Sequence, residues 1–506
     1  MGSAEQVTNA ASAVHEGSPD PATARTTIVR RDVWALEDKQ EWHPVIAAYA
    51  EAVRIMRGRT VGDPTSWAYQ AAMHGSRTAD DWLNTCQHGS WFFLPWHRMY
   101  LYWFERICRT AIESSPEVDD TTKATWALPY WNYDRGTPTN QIPKTFREEF
   151  RPDGSPNPLF VSERDRAMNA GGSMLPPETT ASAALAKREF SGPAGFPGAT
   201  AGFGGPQTGF SHGGRTIGEL ENTPHGAVHM AVGGLMASFN TAGLDPLFWL
   251  HHCNIDRLWE VWLRQTNPAR RNPASAAWTT NQVFHFRDDS GADVTQVSGD
   301  VLDTEGQLNY IYDQFASPFR RVPTGGDRVD SRGFAAAPDE EPDRPPELVG
   351  ASEDPVRLTG EVAETTVSVA GPSAFRRQRA EPERVYLNIE EVRADGTPGG
   401  PYQVFVNLPD DDETTDDNYN VGLVSLFGAA EASDPDSDHQ EGLRYVFDIT
   451  ELYRVLSAAG LWRDDVKVTF KPVRVRMPEG ARAAFTQAEP RPEATVTVGR
   501  VSVFFR

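Results

Sequence analysis

Seven of the chain's twelve histidines fall in two short stretches that lie far apart in the 506 residues. The first stretch holds His74, then His88 and His97 on either side of Gly-Ser-Trp-Phe-Phe-Leu-Pro-Trp. The second holds His225 and His229, then Asp245-Pro-Leu-Phe-Trp-Leu-His251-His252. Asp63-Pro64 reads as an N-cap with a first-turn proline and Gly75 as a stop, which puts His74 in the last turn of a short helix. Pro95 opens a second helix, to about Ile112, with His97, Leu101, Phe104 and Cys108 on one face. Thr223-Pro224 opens a third, on which His225 and His229 project together at i and i+4. Asp245-Pro246 caps a fourth, with Phe248, His252, Ile255 and Trp259 as its buried stripe. Helix neighbours diverge by about 100°, so that stripe selects His252 over His251.

A buried imidazole without a partner carries a desolvation cost, and six inward histidines on four capped helices are better explained by a shared ligand than by packing. Six neutral nitrogens with no ligand carboxylate suit a borderline-to-soft redox metal rather than magnesium or calcium, and point to chemistry on dioxygen. One ion seldom takes six histidines. Two ions with three each is the natural partition, and it leaves open positions for a bridging ligand.

The rest of the chain bounds what surrounds this site. Its length exceeds one ordinary core, so several domains are expected. A net charge of -22 argues against nucleic acid and anionic membranes as partners. No apolar run is long enough to span a bilayer, and the first residues lack the basic-then-apolar pattern of a secretory signal, which leaves cytoplasmic and exported locations both open. Three cysteines, Cys86, Cys108 and Cys253, exclude a disulfide framework. Acidic runs at Asp410–Glu413 and Asp434–Asp438 read as solvated loops.

Residues 1–28 read as a flexible N-terminal arm and 29–315 as the catalytic domain, with a Gly/Ala/Pro/Thr-rich loop at 171–218 near the site. Residues 316–383 read as a linker with one strand at Thr365–Val369. From 384 to 506 the period changes to two, which predicts a small antiparallel β-sandwich with one short helix at Glu451–Leu461.

His88, Phe93, Leu94, Trp96, His97, Arg98 and Glu105 match the first-copper signature of the type 3 dicopper polyphenol oxidases, the tyrosinases and catechol oxidases. Asp245, Pro246, Phe248, Trp249, His252 and Asp256 match the second. Leu128–Asp134 is similar to a segment of the plant enzymes, and Tyr310-Ile-Tyr312 resembles their tyrosine motif, whose arginine partner would be Arg30 or Arg31. The resemblance implies a mainly α domain with a four-helix bundle around two copper ions, and a C-terminal β-domain as a candidate cover. His74, His88 and His97 would bind one copper, and His225, His229 and His252 the other. Glu221 would orient a water for substrate deprotonation, Phe239 would gate the second copper, and Cys86 would form a thioether to His88.

The implied reaction is oxidation of o-diphenols to o-quinones with dioxygen, some monophenol hydroxylation being compatible with it. Gly226 stands where many monophenol-hydroxylating relatives carry Asn, which tilts the reading to diphenols. An o-aminophenol oxidase and a haemocyanin-like oxygen carrier are the alternatives. The carrier would have an occluded site. The partners implied are a phenolic small molecule and dioxygen, with the need for a copper-delivery partner left open.

Overall fold

The computed structural model describes residues 27–37, 42–76, 83–192, 200–315, 345–369, 381–409, 418–433, 441–476 and 494–506. Most of the N-terminal arm, both acidic runs and the 316–344 part of the linker lie outside these residues.

The catalytic half is built on α1 (Pro44–Arg57), α2 (Trp67–His74), α3 (Phe93–Ser114), α4 (Ala227–Val232) and α5 (Pro246–Leu263). Helix α5 is buried on every side from Pro246 to Trp262, the pattern of a central core helix. Asp245 caps it by accepting from the Leu247 N–H, and Arg164, itself buried, grips both oxygens of that carboxylate at 2.8 and 2.7 Å. Helix α3 packs between α1 and α5. Trp96, Trp126, Trp131, Trp249, Trp259, Trp262 and Trp278 are fully buried around them.

A buried charge cluster locks α3 to α5. Arg98 on α3 reaches Asp256 and Glu260 on α5. Tyr310 and Tyr312 each donate to Asp256 at 2.6 Å, and Arg30 pairs with Glu105 at 3.0 Å with its guanidinium 3.7 Å over the Tyr310 ring. The short parallel pair β1 (Ile28–Arg30) and β2 (Tyr310–Tyr312) brings these together. The tyrosine motif therefore takes Arg30; Arg31 is exposed.

Three local expectations are corrected. Asp63 caps only a turn, by bonding Thr65; the N-cap of α2 is Ser66, which accepts from the Tyr69 N–H. The segment Glu221–Gly226 is an irregular wide turn with Thr223 extended, and regular helix begins at Ala227. His88 lies on no helix. Of the six candidates only His97 and His252 lie on long helices, and the others come from the short α2 and α4, an irregular turn and a loop, so a four-helix bundle supplying all the ligands is not found among the described residues. The 171–218 loop contains two single-turn helices, Pro176–Thr179 and Ser182–Ala186.

The C-terminal half is one continuous antiparallel sheet: β3 (Glu347–Ser352), β4 (Val356–Leu358), β5 (Ala363–Val369), β6 (Val385–Ala394), β7 (Tyr402–Val406), β8 (Asn420–Val424), β9 (Leu443–Asp448), β10 (Asp465–Pro472) and β11 (Val496–Phe505). Its order is β8-β7-β10-β5-β3-β11-β6-β9, with β4 also on β11. The end strands β8 and β9 come into contact, so the sheet curls around its own core rather than forming two separate layers. Residues 347–369, read as linker, supply three of its strands. The predicted helix appears as α6 (Thr450–Ala458).

Candidate metal centre

Two triangles of imidazole meet between α3 and α5. In the first, ring centroids are 5.2 Å apart for His74–His88, 5.5 Å for His74–His97 and 5.3 Å for His88–His97. In the second they are 4.6 Å for His225–His229, 4.9 Å for His225–His252 and 5.5 Å for His229–His252. The triangles touch: His97 stacks on His252 at 4.4 Å, and His88 lies 5.8 Å from His225.

Backbone carbonyls set which nitrogen faces inward. The Nδ1–H donates to Phe239 O in His74 (2.9 Å), Phe93 O in His97 (2.8 Å), Glu221 O in His225 (3.0 Å) and Met236 O in His229 (2.7 Å). A carbonyl only accepts, so Nδ1 holds the proton in each ring and Nε2 keeps its lone pair. Gly75 belongs to this device. A Cβ there would sit 2.2 Å from the Phe239 oxygen, so residue 75 is glycine to admit the carbonyl that holds His74, and its φ of -157° needs no left-handed backbone. The Nε2 atoms of His74, His88, His97 and His225 are buried without any protein partner, and those of His229 and His252 face each other at 3.3 Å. Burial pushes all six rings below the usual histidine range, His97 to about 3. Neutral imidazoles with orphaned, converging Nε2 lone pairs fit two soft-to-borderline metal ions.

A seventh histidine belongs to the same cluster. His251 is buried, 5.4 Å from His225 and 4.8 Å from His229, with its Nδ1 3.2 Å from the Tyr133 hydroxyl. Ligand atoms of His225, His229, His251 and His252 all lie within 4.8 Å of one another. The stripe argument against His251 fails because α5 has no solvent face. His252 is distinguished instead by joining both triangles.

Glu221 is buried, and both its oxygens accept from the N–H of Gly89, the residue after His88, at 2.9 and 3.0 Å. Burial pushes its carboxyl up to about 8, against the backbone N–H groups that favour the anion. Phe239 does not cover the second triangle. It stacks face to face on His88 of the first at 4.0 Å, because its N–H is held by Glu431 and its carbonyl by His74. Cys86 is a free, buried thiol with Sγ 3.2 Å from His88 Nδ1. Sequence reasoning passed over His212, whose Nδ1 lies 3.3 Å from the same sulfur.

The ring over the second triangle comes from the C-terminal sheet. Phe427 stacks on His229 at 4.1 Å and meets His225 at 5.4 Å and Phe239 at 4.7 Å. Its segment is clamped beside the ligands: Asn222 donates to Leu423 O at 2.6 Å and accepts from the Ser425 N–H at 3.2 Å. A Cβ on Gly226 would lie 2.5 Å from Ser425 Oγ. Glu431 accepts from Ser238 Oγ at 2.6 Å and the Phe239 N–H at 3.0 Å.

A helical core presenting two histidine trios, capped by a β-domain, defines a copper oxidoreductase of the type 3 class. The sequence profile of the common central domain of tyrosinase matches residues 64–265, which include all six histidines, and a domain of unknown function matches 345–506. Tyrosinase HcTyr1 of Hahella sp. (strain CCB-MM4) is 32% identical over 94% of this chain and 98% of its own length. The latent polyphenol oxidase of Prunus armeniaca is 29% identical over 72% of this chain and 60% of its own. Among solved structures, latent apple tyrosinase superposes with a TM-score of 0.58 at 21% identity, covering 96% of this chain and 98% of that one. Latent aurone synthase gives 0.58 at 20%, covering 97% and 91%. The chain belongs to the tyrosinase family of type 3 dicopper polyphenol oxidases. It is an oxidoreductase that uses two copper ions to oxidise phenols with dioxygen. No helix among the described residues is long and apolar enough to cross a membrane.

Proposed function

We propose that the chain oxidises o-diphenols to o-quinones, with His74, His88 and His97 holding one copper, His225, His229 and His252 the other, and the C-terminal domain covering the site until it is displaced. The observation that carries the ligand assignment is the inward set of buried Nε2 atoms, unpartnered in His74, His88, His97 and His225 and facing each other at 3.3 Å in His229 and His252; the Nε2 of His251 is also unpartnered, and His252 is preferred to it because it joins both triangles. When bound, the copper pair supplies the binding and reduction of dioxygen and the two-electron oxidation of the ring.

The chain's own residues supply position and proton handling. The face of His229 now occupied by Phe427 is where a phenolic ring stacks once the cover moves. Glu221, through a water, takes the substrate's hydroxyl proton on a carboxylate oxygen; copper ions bound by the neighbouring histidines would favour its ionised form. Phe239 walls the first triangle and steers the ring toward the second. Two diphenols together yield the four electrons and four protons that turn one dioxygen into two waters. Cys86 becomes joined to His88 as a thioether, which immobilises a ring that no backbone carbonyl holds at Nδ1.

Occlusion by itself would also suit an oxygen carrier. Here the occluding ring sits on a separate domain docked by hydrogen bonds and two small apolar clusters, which favours a removable cover on an enzyme. Two measurements test the reading: metal analysis, and rates on catechol, tyrosine and o-aminophenol before and after proteolysis at a site engineered within 316–344. Catechol turnover that rises on cleavage and exceeds the other two supports it. Preferred oxidation of o-aminophenol would replace the substrate assignment, and unchanged rates after cleavage would remove the cover.

A further inference from the structure

The Cys86 sulfur sits between two imidazoles. His88 Nδ1 lies 3.2 Å from it and His212 Nδ1 3.3 Å. His212 Nδ1 is also 3.1 Å from the Cys86 carbonyl oxygen, which only accepts, so this nitrogen carries a hydrogen directed at the Cys86 residue.

His212 is delivered there by a tight splice of two loops. The His88 N–H donates to Ser211 O at 3.0 Å, the Gly214 N–H to His88 O at 2.7 Å, and the Ser211 N–H to Gln87 Oε1 at 2.8 Å. Gly89 and Gly214 meet so closely that a Cβ on either would lie within 2.4 Å of the other's carbonyl oxygen. Four of the six triangle histidines are oriented by carbonyls at Nδ1. His88 has a sulfur there, and that sulfur is itself held from its other side.

We propose that His212 is the positioning residue for the Cys86–His88 cross-link: its Nδ1–H, shared between the Cys86 carbonyl oxygen and Sγ, holds the sulfur 3.2 Å from His88 Nδ1, the nitrogen bonded to the Cε1 carbon. The inference rests on the thioether reading above. In the step, the S–H and Cε1–H bonds break and one C–S bond forms. Two protons and two electrons leave, and dioxygen, the oxidant of the established activity, takes them up as hydrogen peroxide. Without His212 the thiol is free to turn away from the ring.

The test uses the full chain, copper-loaded in air, then denatured, alkylated and weighed. Wild type should show alkylation at Cys108 and Cys253 only, with the mass of two hydrogens missing. His212→Asn places an amide N–H where Nδ1 was and should retain the cross-link. His212→Gln places its amide at the Nε2 position, and its cross-linked fraction should fall about fivefold, the worth of one ordinary hydrogen bond, with copper content unchanged. Both variants are polar and similar in size, so a general loosening of the loop would affect them alike. Equal cross-linking in the Asn and Gln variants overturns the role of His212. Three alkylated thiols in copper-loaded wild type would instead reject the thioether itself, and this proposal with it.

Discussion

The choice of nitrogen is made by the main chain on four of the six rings. Phe239, Phe93, Glu221 and Met236 each turn a carbonyl onto an Nδ1–H and leave Nε2 facing the centre. His251 has Tyr133 at Nδ1 in place of a carbonyl, and it touches only the second triangle. On the proposed trios, His251→Ala should keep both coppers, whereas His252→Ala should lose one, and with it more than about 100-fold of activity. Glu221→Gln should keep both coppers while lowering kcat about 100-fold or more, as expected for loss of a proton acceptor. Periodicity and the Asp245-Pro246 cap marked His97 and His252 as inward, whereas His88, on no helix, and His225, on an irregular turn, were legible only through the signature and the His-x-x-x-His spacing. His251 and His212 were not. Periodicity cannot choose between neighbours on a helix buried all round, and His212 depends on a contact between loops more than a hundred residues apart in the chain.

At the scale of elements, the fold holds its site by joining α3 to α5 through buried charge. Burial works against the Asp256 carboxylate, but Arg98, Arg30 and two tyrosine hydroxyls outweigh it and hold it below the usual range. Its contribution is thus present above the unfolded value, about 3.9, and is lost as pH falls through the lower folded value. Asp256→Asn should cost about 3–5 kcal/mol, read as a lower Tm near neutral pH, with the difference from wild type shrinking toward strongly acidic pH. The six clustered histidines act in the same direction at higher pH. Their folded values lie below 6.5, so copper-free protein should lose stability as pH falls from about 6.5. The caps of α5 and the alternation of β6 and β11 could be read directly from the chain. Strand β5 was read from Thr365 onward, but β3 and β4 were not, because they are short, the burial of β3 is uneven, and the partner of both, β11, lies far along the sequence.

Over the whole molecule, the C-terminal sheet reaches the catalytic half through main-chain bonds as well as through Phe427. Ser173 and Arg476 exchange backbone bonds at 2.9 and 2.8 Å, and the Arg444 N–H donates to Arg215 O at 2.7 Å. Ser425 fills the space above Gly226, so the missing side chain there has a second explanation besides substrate preference: any larger residue would collide with the docked domain. Phe427→Ala in the full chain should raise kcat/KM for catechol with copper content unchanged, and Gly226→Ala should raise basal turnover by weakening docking. If neither variant is faster than wild type, the β-domain is a neighbour and not a cover. The two-domain plan was visible in the change of period along the chain; the ring that closes the site was not, since nothing local marks Phe427.

Copper counting on single-histidine variants tests the central claim most directly. Copper-loaded wild type should carry two ions per chain, His97→Ala and His252→Ala one each, and the double variant none. A wild-type chain that binds a single ion, or single variants that still bind two, would contradict the division of six imidazoles into two trios.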